Sequence, residues 1–377
     1  MPPVHRRDAL AASAAFMTGV ALEPGRTSAA PGADDDLEAA AAVLDTAVSS
    51  GRVATAALHV ERGGRSFSRG FGQGPAGPAD ADAMFLLGSI SKPIAVTALM
   101  TLHDRGQFDL DDEVRRFLPA FTGDGRERVT IRQLLSHVSG LPDQLPENDH
   151  LRAAHAPLDA FVAAALRTPL LFAPGARFGY SSMGILLAAR IAETIAGSDI
   201  RAFVTSTVLE PLGMRHSAQG LGGFTRERFV RCQTEQAAPE AGGGDPAAAT
   251  WDWNSDYWRA LGAPWGGTHA SAPDVARFLA AFVHDGGGVV KPGTARLMIT
   301  DQNSGRTVPR GIGFALGGPL AGPGASAATF GHTGSTGTIG WADPDTATIC
   351  VVLTSLPARA GQMHPRDRAA TTVTSRR

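Results

Sequence analysis

Residues 85–96 read FLLGSISKPIAV: a serine stands three positions ahead of a lysine, with apolar residues on both sides. Lys92 and Lys291 are the only lysines among 34 basic residues, so chemistry that needs an amine able to lose its proton has two candidates. Lys291 has Gly288 three positions upstream, whereas Lys92 has Ser89. If Ser89 opens the helix that follows, the two side chains share one face a turn apart, and amine and hydroxyl can hydrogen-bond. Burial disfavours an ammonium, so an enclosed lysine can offer a free amine as the base for a serine nucleophile. A capping serine beside a solvated lysine is the plain alternative. The flanks Phe85, Leu86, Leu87 and Ile94, Ala95, Val96 weigh against it, because an idle lysine among them would be costly.

Working outward, Val53 to Val60 and Arg65 to Phe71 read as two strands joined at Gly63 and Gly64, after a helix from Leu37 to Val48. From Ile90 to Leu102 the apolar period turns helical. Helix-like stretches follow at Ile131 to Ser136, Leu158 to Arg167, Met183 to Ala196, Phe203 to Val208 and Asp274 to Val283. Strand signals return at Gly311 to Leu316, Thr338 to Ala342 and Thr348 to Thr354. The expected fold is therefore α/β in the α+β sense: an antiparallel sheet assembled from distant segments and flanked by helices, with a helical lobe inserted over roughly 105–265. Residues 31–377 are expected to form one catalytic domain. The glycine runs at 242–244 and 286–288 read as loops. Residues 358–377 are polar with no clear apolar stripe, which predicts a shortened, irregular end.

Tyrosine is as scarce as lysine. Tyr180 closes PGARFGY directly before a helix, a place from which a chain can aim a side chain, while Tyr257 lies in WDWNSDYW. A phenol beside the Ser89–Lys92 pair could relay a proton to a leaving group, and the alternative is a packing residue with a satisfied hydroxyl. A third element, FGHTGSTG at 330–337, sets small residues around His332 ahead of an apolar strand. Its Ser335 amide could face the Ser89 amide across the oxygen that gains charge in acyl transfer; a glycine-rich turn is the alternative. Four of the five tryptophans fall between Trp251 and Trp265, suiting either lobe packing or an apolar wall for substrate. His137 reads as structural. His150 and His155 do not stack on one helical face, and no HExxH occurs, so no metal or cofactor is expected.

Together, Ser89-Ile90-Ser91-Lys92, Tyr180-Ser181-Ser182 and His332-Thr333-Gly334 resemble the three motifs of the serine β-lactamase and penicillin-binding-protein superfamily, particularly its class C β-lactamase-like branch. TIRQLLSHVSGL at 130–141, Pro174-Gly175 and LEPLGM at 209–214 are also similar, over about residues 40–356. The resemblance implies an α/β lobe, an all-helical lobe and a site between them. It implies that Ser89 is acylated, that Lys92 and Tyr180 handle its proton, that the Ser89 and Ser335 amides form an oxyanion hole, and that Ser182, His332, Thr333 and Gly334 bind substrate. Two departures bear on substrate. Ser182 stands where the family commonly has Asn, so recognition of a substrate amide is weakened. His332, whose charge near neutral pH is conditional, stands where β-lactamases and transpeptidases commonly have Lys, so a fixed cation for a substrate carboxylate is missing, with Arg310 a candidate to compensate. Both favour the esterase-like members.

A formal charge of −2 gives no general reason to bind nucleic acid or an anionic membrane. The first 30 residues carry Arg6-Arg7, an apolar stretch from Ala9 to Leu22, and Ser28 and Ala30 at an A-x-A-like spacing. They read as an export signal of twin-arginine type, giving a periplasmic or extracellular protein, against a frayed Ala-rich tail and a cytoplasmic one. No other segment is apolar enough to span a bilayer. Cys232 and Cys350 form no CxxC and read as free thiols before a disulfide. The leading expectation is a serine hydrolase acting on small carboxylic esters through an acyl-enzyme on Ser89. The alternatives are a β-lactamase or D-amino-acid peptidase, an acyltransferase, and a non-catalytic cell-envelope binding module. The sequence carries no reading of oligomeric state.

Overall fold

The computed structural model describes residues 33–303, 308–360 and 363–375. The stretch read as an export signal lies outside the described residues. The principal sheet is antiparallel and draws on both ends of the chain. Its strands are β1 (Thr55–Arg62), β2 (Arg65–Gly74), β3 (Gly77–Pro78), β7 (Ala315–Leu316), β8 (Phe330–Gly334), β9 (Thr338–Asp343) and β10 (Thr348–Thr354), in the order β3-β2-β1-β10-β9-β8-β7. A second sheet of β4 (Phe85–Leu86), β5 (Ser217–Gln219) and β6 (Thr268–Ala270) runs β4-β6-β5. Gly63 and Gly64 both take left-handed backbone angles, φ 57° and 77°, as a two-residue hairpin with this twist requires.

Alternation along β1 and β10 assigns the two faces of the sheet. Leu58, Val60, Cys350 and Val352 join one buried cluster with Leu37, Ala40, Ala41 and Leu44 of the helix Ala33–Ser49. Ala57, Val351 and Leu353 face the larger core, shared with the helices Ser91–Asp104 and Ala272–Val283. Ser271 caps the latter helix by accepting from the Asp274 N–H at 3.3 Å, and its Val275 and Leu279 pack where Gly340 leaves β9 bare. The same core extends into the helices that follow, among them Leu158–Ala165, Ser182–Ala196 and Asp256–Leu261, with Asn148–Ala153 beside them and β5 the one strand over residues 105–265 among the described residues.

Three sequence expectations change. Gly311 to Leu316 is not one strand: Gly313 sits at φ 82° and the Gly311 N–H closes a turn onto the Phe314 carbonyl at 3.0 Å, leaving only Ala315–Leu316 extended. The helix expected at Phe203 to Val208 is Ile200–Val204 followed by a wider π turn, Thr205–Leu209. The C-terminal end is not irregular, since Pro365–Thr372 is a helix. His364 caps it, Ala369, Ala370 and Val373 bury against the first helix's face of the sheet, and Arg366 donates to the carbonyls of Gly334 and Thr338. A stripe of two alanines and a valine is too weak to read as amphipathic, yet the sheet needs no more to cover it.

Cys232 and Cys350 are both buried free thiols, and burial pushes the Cys232 thiol up to about 11. Burial also pushes several histidines down, among them His269, bonded to the Gly220 carbonyl at 2.9 Å, to about 3, and His364, bonded to the Leu356 carbonyl, to about 4. The unfolded rings titrate near 6.5, so below that pH the unfolded chain binds more protons than the folded one. Their stabilisation is complete above about pH 6.5 and is lost as pH falls. Denaturant titrations are expected to show unfolding free energy dropping by about 1 kcal/mol per ring between pH 6.5 and 5.5. A flat profile across that window would contradict the neutral, enclosed rings.

Candidate active site

Ser89 lies in a short 3-10 turn, Gly88–Ile90, at the entry to the helix Ser91–Asp104. Close approach of two backbones sets this turn. Gly88 takes φ 56°, and a Cβ there would stand 2.9 Å from Thr336 Oγ1 and 3.1 Å from the Ser335 amide nitrogen. A Cβ on Gly334 would stand 2.1 Å from the Leu87 carbonyl oxygen. Only glycine fits at both positions. Thr336 and Thr338 donate to the carbonyls of Leu86 and Leu87 at 2.7 and 2.6 Å, and Ser91 Oγ accepts from the Thr268 N–H at 3.0 Å. The serine turn is thus bound to β8–β9 on one side and to β6 on the other.

Lys92 is 1% exposed, and its Nζ donates to Ser89 Oγ at 2.9 Å and to the Trp265 carbonyl at 3.0 Å. Among the described residues no carboxylate stands within 4.0 Å of it. Tyr180 approaches from the other lobe, its ring centroid 4.9 Å from Lys92 Nζ. Ser181 caps the helix Ser182–Ala196 by accepting from the Gly184 N–H at 2.9 Å, which fixes Tyr180 at the loop-to-helix junction. Among the described residues the Tyr180 hydroxyl has no hydrogen-bond partner, and Tyr180 lines the cleft.

Three groups pack around the Tyr180 ring: His137 at 4.5 Å and His332 at 6.1 Å between centroids, and the Arg310 guanidinium at 5.6 Å. His137, held at φ 62°, accepts from the Ser181 N–H at 3.2 Å, so its structural role is to position the Tyr180 loop. His332 is buried, with Nδ1 2.6 Å from the Thr333 carbonyl. Burial, with Arg310 and Lys92 nearby, pushes its pKa down to about 3, so the ring is neutral near pH 7. The conditional cation expected there is not formed. His332, Thr333 and Gly334 are not among the residues lining the cleft, whereas Ser335 and Thr336, just beyond them, are.

The cleft has a volume of about 320 Å³ and is lined by Ser89, Tyr180, Ser182 and Ser335 together with Trp253, Trp258 and Trp265. The three tryptophans are both buried packing and cleft wall, joining the two roles the sequence left open. Ser182 donates from Oγ and from its N–H to Asp143 Oδ1, at 2.5 and 3.0 Å. Asp143 was not legible beforehand: it lies on a loop 39 positions upstream of Ser182 with no local pattern to mark it. Arg152, also on the cleft, was likewise missed, hidden between two histidines read for metal spacing. His155 instead stacks on Tyr257, with centroids 4.8 Å apart.

Residues 40–373 match the family model described as Beta-lactamase. Esterase EstB of Burkholderia gladioli is 35% identical over 208 residues, which cover 50% of this chain and 52% of EstB, so the match spans about half the length of that relative. Two solved structures share the fold at 23% identity. EstCE1, described as a hydrolase with promiscuous acyltransferase activity, superposes with a TM-score of 0.73 over 91% of this chain and 99% of its own. A penicillin-binding protein homologue from Caulobacter crescentus gives 0.74 over 90% and 96%. With its serine turn, its two lobes and a family match over most of its length, the chain belongs to the Beta-lactamase family of serine hydrolases.

Proposed function

We propose that the chain is a carboxylesterase of the class C-like branch, working through a covalent acyl-enzyme on Ser89. The observation that carries this reading is the 2.9 Å contact between Ser89 Oγ and a buried Lys92 amine at the wall of a small, tryptophan-lined cleft. With the amine unprotonated, the serine O–H donates across the same contact. Ser89 Oγ then bonds to the ester carbonyl carbon as its proton passes to Lys92, and the carbonyl oxygen takes the developing charge. The amides of Ser89 and Ser335 are the donors for that oxygen. Tyr180, which lines the cleft, passes its proton to the departing alcohol as the carbon–oxygen bond breaks and recovers one from Lys92, which returns to the free amine. Water repeats the sequence and releases the acid.

Substrate preference follows from the third motif. A neutral, buried His332 gives no fixed charge beside β8, and Ser182 spends its hydroxyl on Asp143, leaving no carboxamide-like group at that position. Both features support ester over β-lactam or D-amino-acid peptide hydrolysis. The similarity to EstB agrees, while EstCE1 keeps transfer to an acceptor other than water as a side reaction of the same acyl-enzyme. Export of the mature enzyme remains part of the proposal, on the strength of the Arg6-Arg7 segment alone.

Kinetics with 4-nitrophenyl butyrate test this reading. Ser89→Ala and Lys92→Ala are expected to lower kcat/KM by about 10³-fold or more, with D-alanyl dipeptides untouched by the parent enzyme. Full activity in Ser89→Ala, or a dipeptide cleaved faster than the ester, would overturn it. Tyr180→Phe removes only the hydroxyl and is expected to cost about 10²-fold, more for a poor alkoxide leaving group than for 4-nitrophenolate. Equal losses for the two leaving groups would deny Tyr180 the acid role. Because His332 stays neutral down to about pH 3, the ratio of kcat/KM for a carboxylated and a neutral ester should be level from pH 5.5 to 8. A ratio falling through pH 6 to 7 would restore a histidine cation.

A further inference from the structure

Two arginines line the cleft, the exposed Arg359 and the buried Arg152, and the acyl-transfer reading leaves the buried one without a task. Arg152, on the helix Asn148–Ala153, is 3% exposed and lines the same cleft as Ser89. Its guanidinium lies 3.9 Å from the Trp258 ring centroid and 5.3 Å from that of Trp251. Nη1 donates to the Glu240 carbonyl, but Nε and Nη2 have no hydrogen-bond partner among the described residues. Glu240 and Asp143, carboxylates that also line the cleft, form no ion pair with it, and Asp143 Oδ1 already accepts twice from Ser182. Burial lowers the Arg152 pKa only to about 10, with Tyr257, Asp149, Asp252 and Glu240 opposing the fall, so the group is charged at neutral pH.

An enclosed guanidinium with two idle donors is costly unless something arrives to use them. Nε and Nη2 form the side of the fork that meets a carboxylate with two parallel bonds. Elsewhere in this chain the same two atoms of Arg132 hold both oxygens of Asp111, at 2.7 and 2.8 Å. The tryptophan faces supply cation–π support and an apolar bed for a short carbon chain.

We propose that Arg152 is the receptor for a carboxylate on the substrate, so that the ester opened at Ser89 is a small anionic one. The inference rests on the acyl-transfer reading of Ser89 and names the substrate class. It supplies, from the helical lobe, the fixed cation that His332 does not provide.

The carboxylate can sit on either side of the ester, and paired substrates separate the two. 4-Nitrophenyl hydrogen glutarate against 4-nitrophenyl valerate reads the acyl side; 4-acetoxybenzoate against its methyl ester reads the leaving-group side. At low ionic strength the wild-type kcat/KM is expected to favour the anion by about tenfold or more on one arm. Arg152→Met should bring that ratio to about one, and Arg152→Lys should keep part of it. No anionic preference on either arm, or a preference that survives in Arg152→Met, would overturn the proposal. Should Arg152→Met fail to fold by circular dichroism, a full wild-type ratio in Arg152→Lys overturns it and a reduced one supports it. If no ester is turned over, the esterase reading fails separately. Fluorophosphonate labelling of Ser89 then decides the anion site: slowing by free glutarate in wild type but not in the Arg152 variants supports it, and no slowing in wild type rejects it.

Discussion

A lysine amine sealed from water and held 2.9 Å from a serine hydroxyl is the constraint on which the surrounding structure depends. Such a group is tolerable only where its remaining hydrogen-bond capacity is met, and the Trp265 carbonyl meets part of it. That carbonyl lies just before β6, which pairs with β4 directly ahead of Ser89, so donor and acceptor are fixed by one small sheet. The same turn is pressed against β8–β9 so tightly that Gly88 and Gly334 admit no side chain. The principal sheet in turn is anchored from behind, where Arg366 of the C-terminal helix holds the carbonyls at the β8–β9 corner. Catalytic geometry and sheet packing are one network.

How far this was legible depended on whether the signal was local. Hairpin glycines, the helical period after Ile90 and the i, i+3 relation of Ser89 and Lys92 are local, and they read true in the structure to within a few residues. Scarcity helped, because one of two lysines and one of two tyrosines fall on the elements that converge. What failed was nonlocal or weakly patterned. The C-terminal helix buries only small residues, so its polar sequence hid its place in the fold. Asp143 sits on a loop and Arg152 on the six-residue helix Asn148–Ala153, and both acquire meaning only when Ser182 and the tryptophans arrive from elsewhere in the chain. His332 looked like a conditional cation because a sequence cannot show that its ring is buried, with Arg310 and Lys92 nearby.

Family membership leaves the substrate open, since this architecture houses both a hydrolase with promiscuous acyltransferase activity and a penicillin-binding protein homologue among the structures it resembles. Discrimination therefore lies in the charges and shapes around a shared serine. Here the cleft carries Arg359 next to the Ser335 side and, on the helical lobe, tryptophan rings with Arg152 packed against them. The site is built to hold a small body against tryptophan. Its volume of about 320 Å³ is at the lower end for small-molecule pockets, consistent with a short acyl or alcohol portion.

The central claim is that Ser89 carries the acyl group and that Lys92 makes it able to do so. The most direct measurement is intact-protein and peptide mass spectrometry on enzyme quenched during turnover of a slowly hydrolysed ester. One acyl group is expected per chain, on the peptide containing Ser89, and none in Lys92→Ala on the same timescale. Acylation at any other residue, or undiminished acylation of Ser89 without the lysine, would contradict the account.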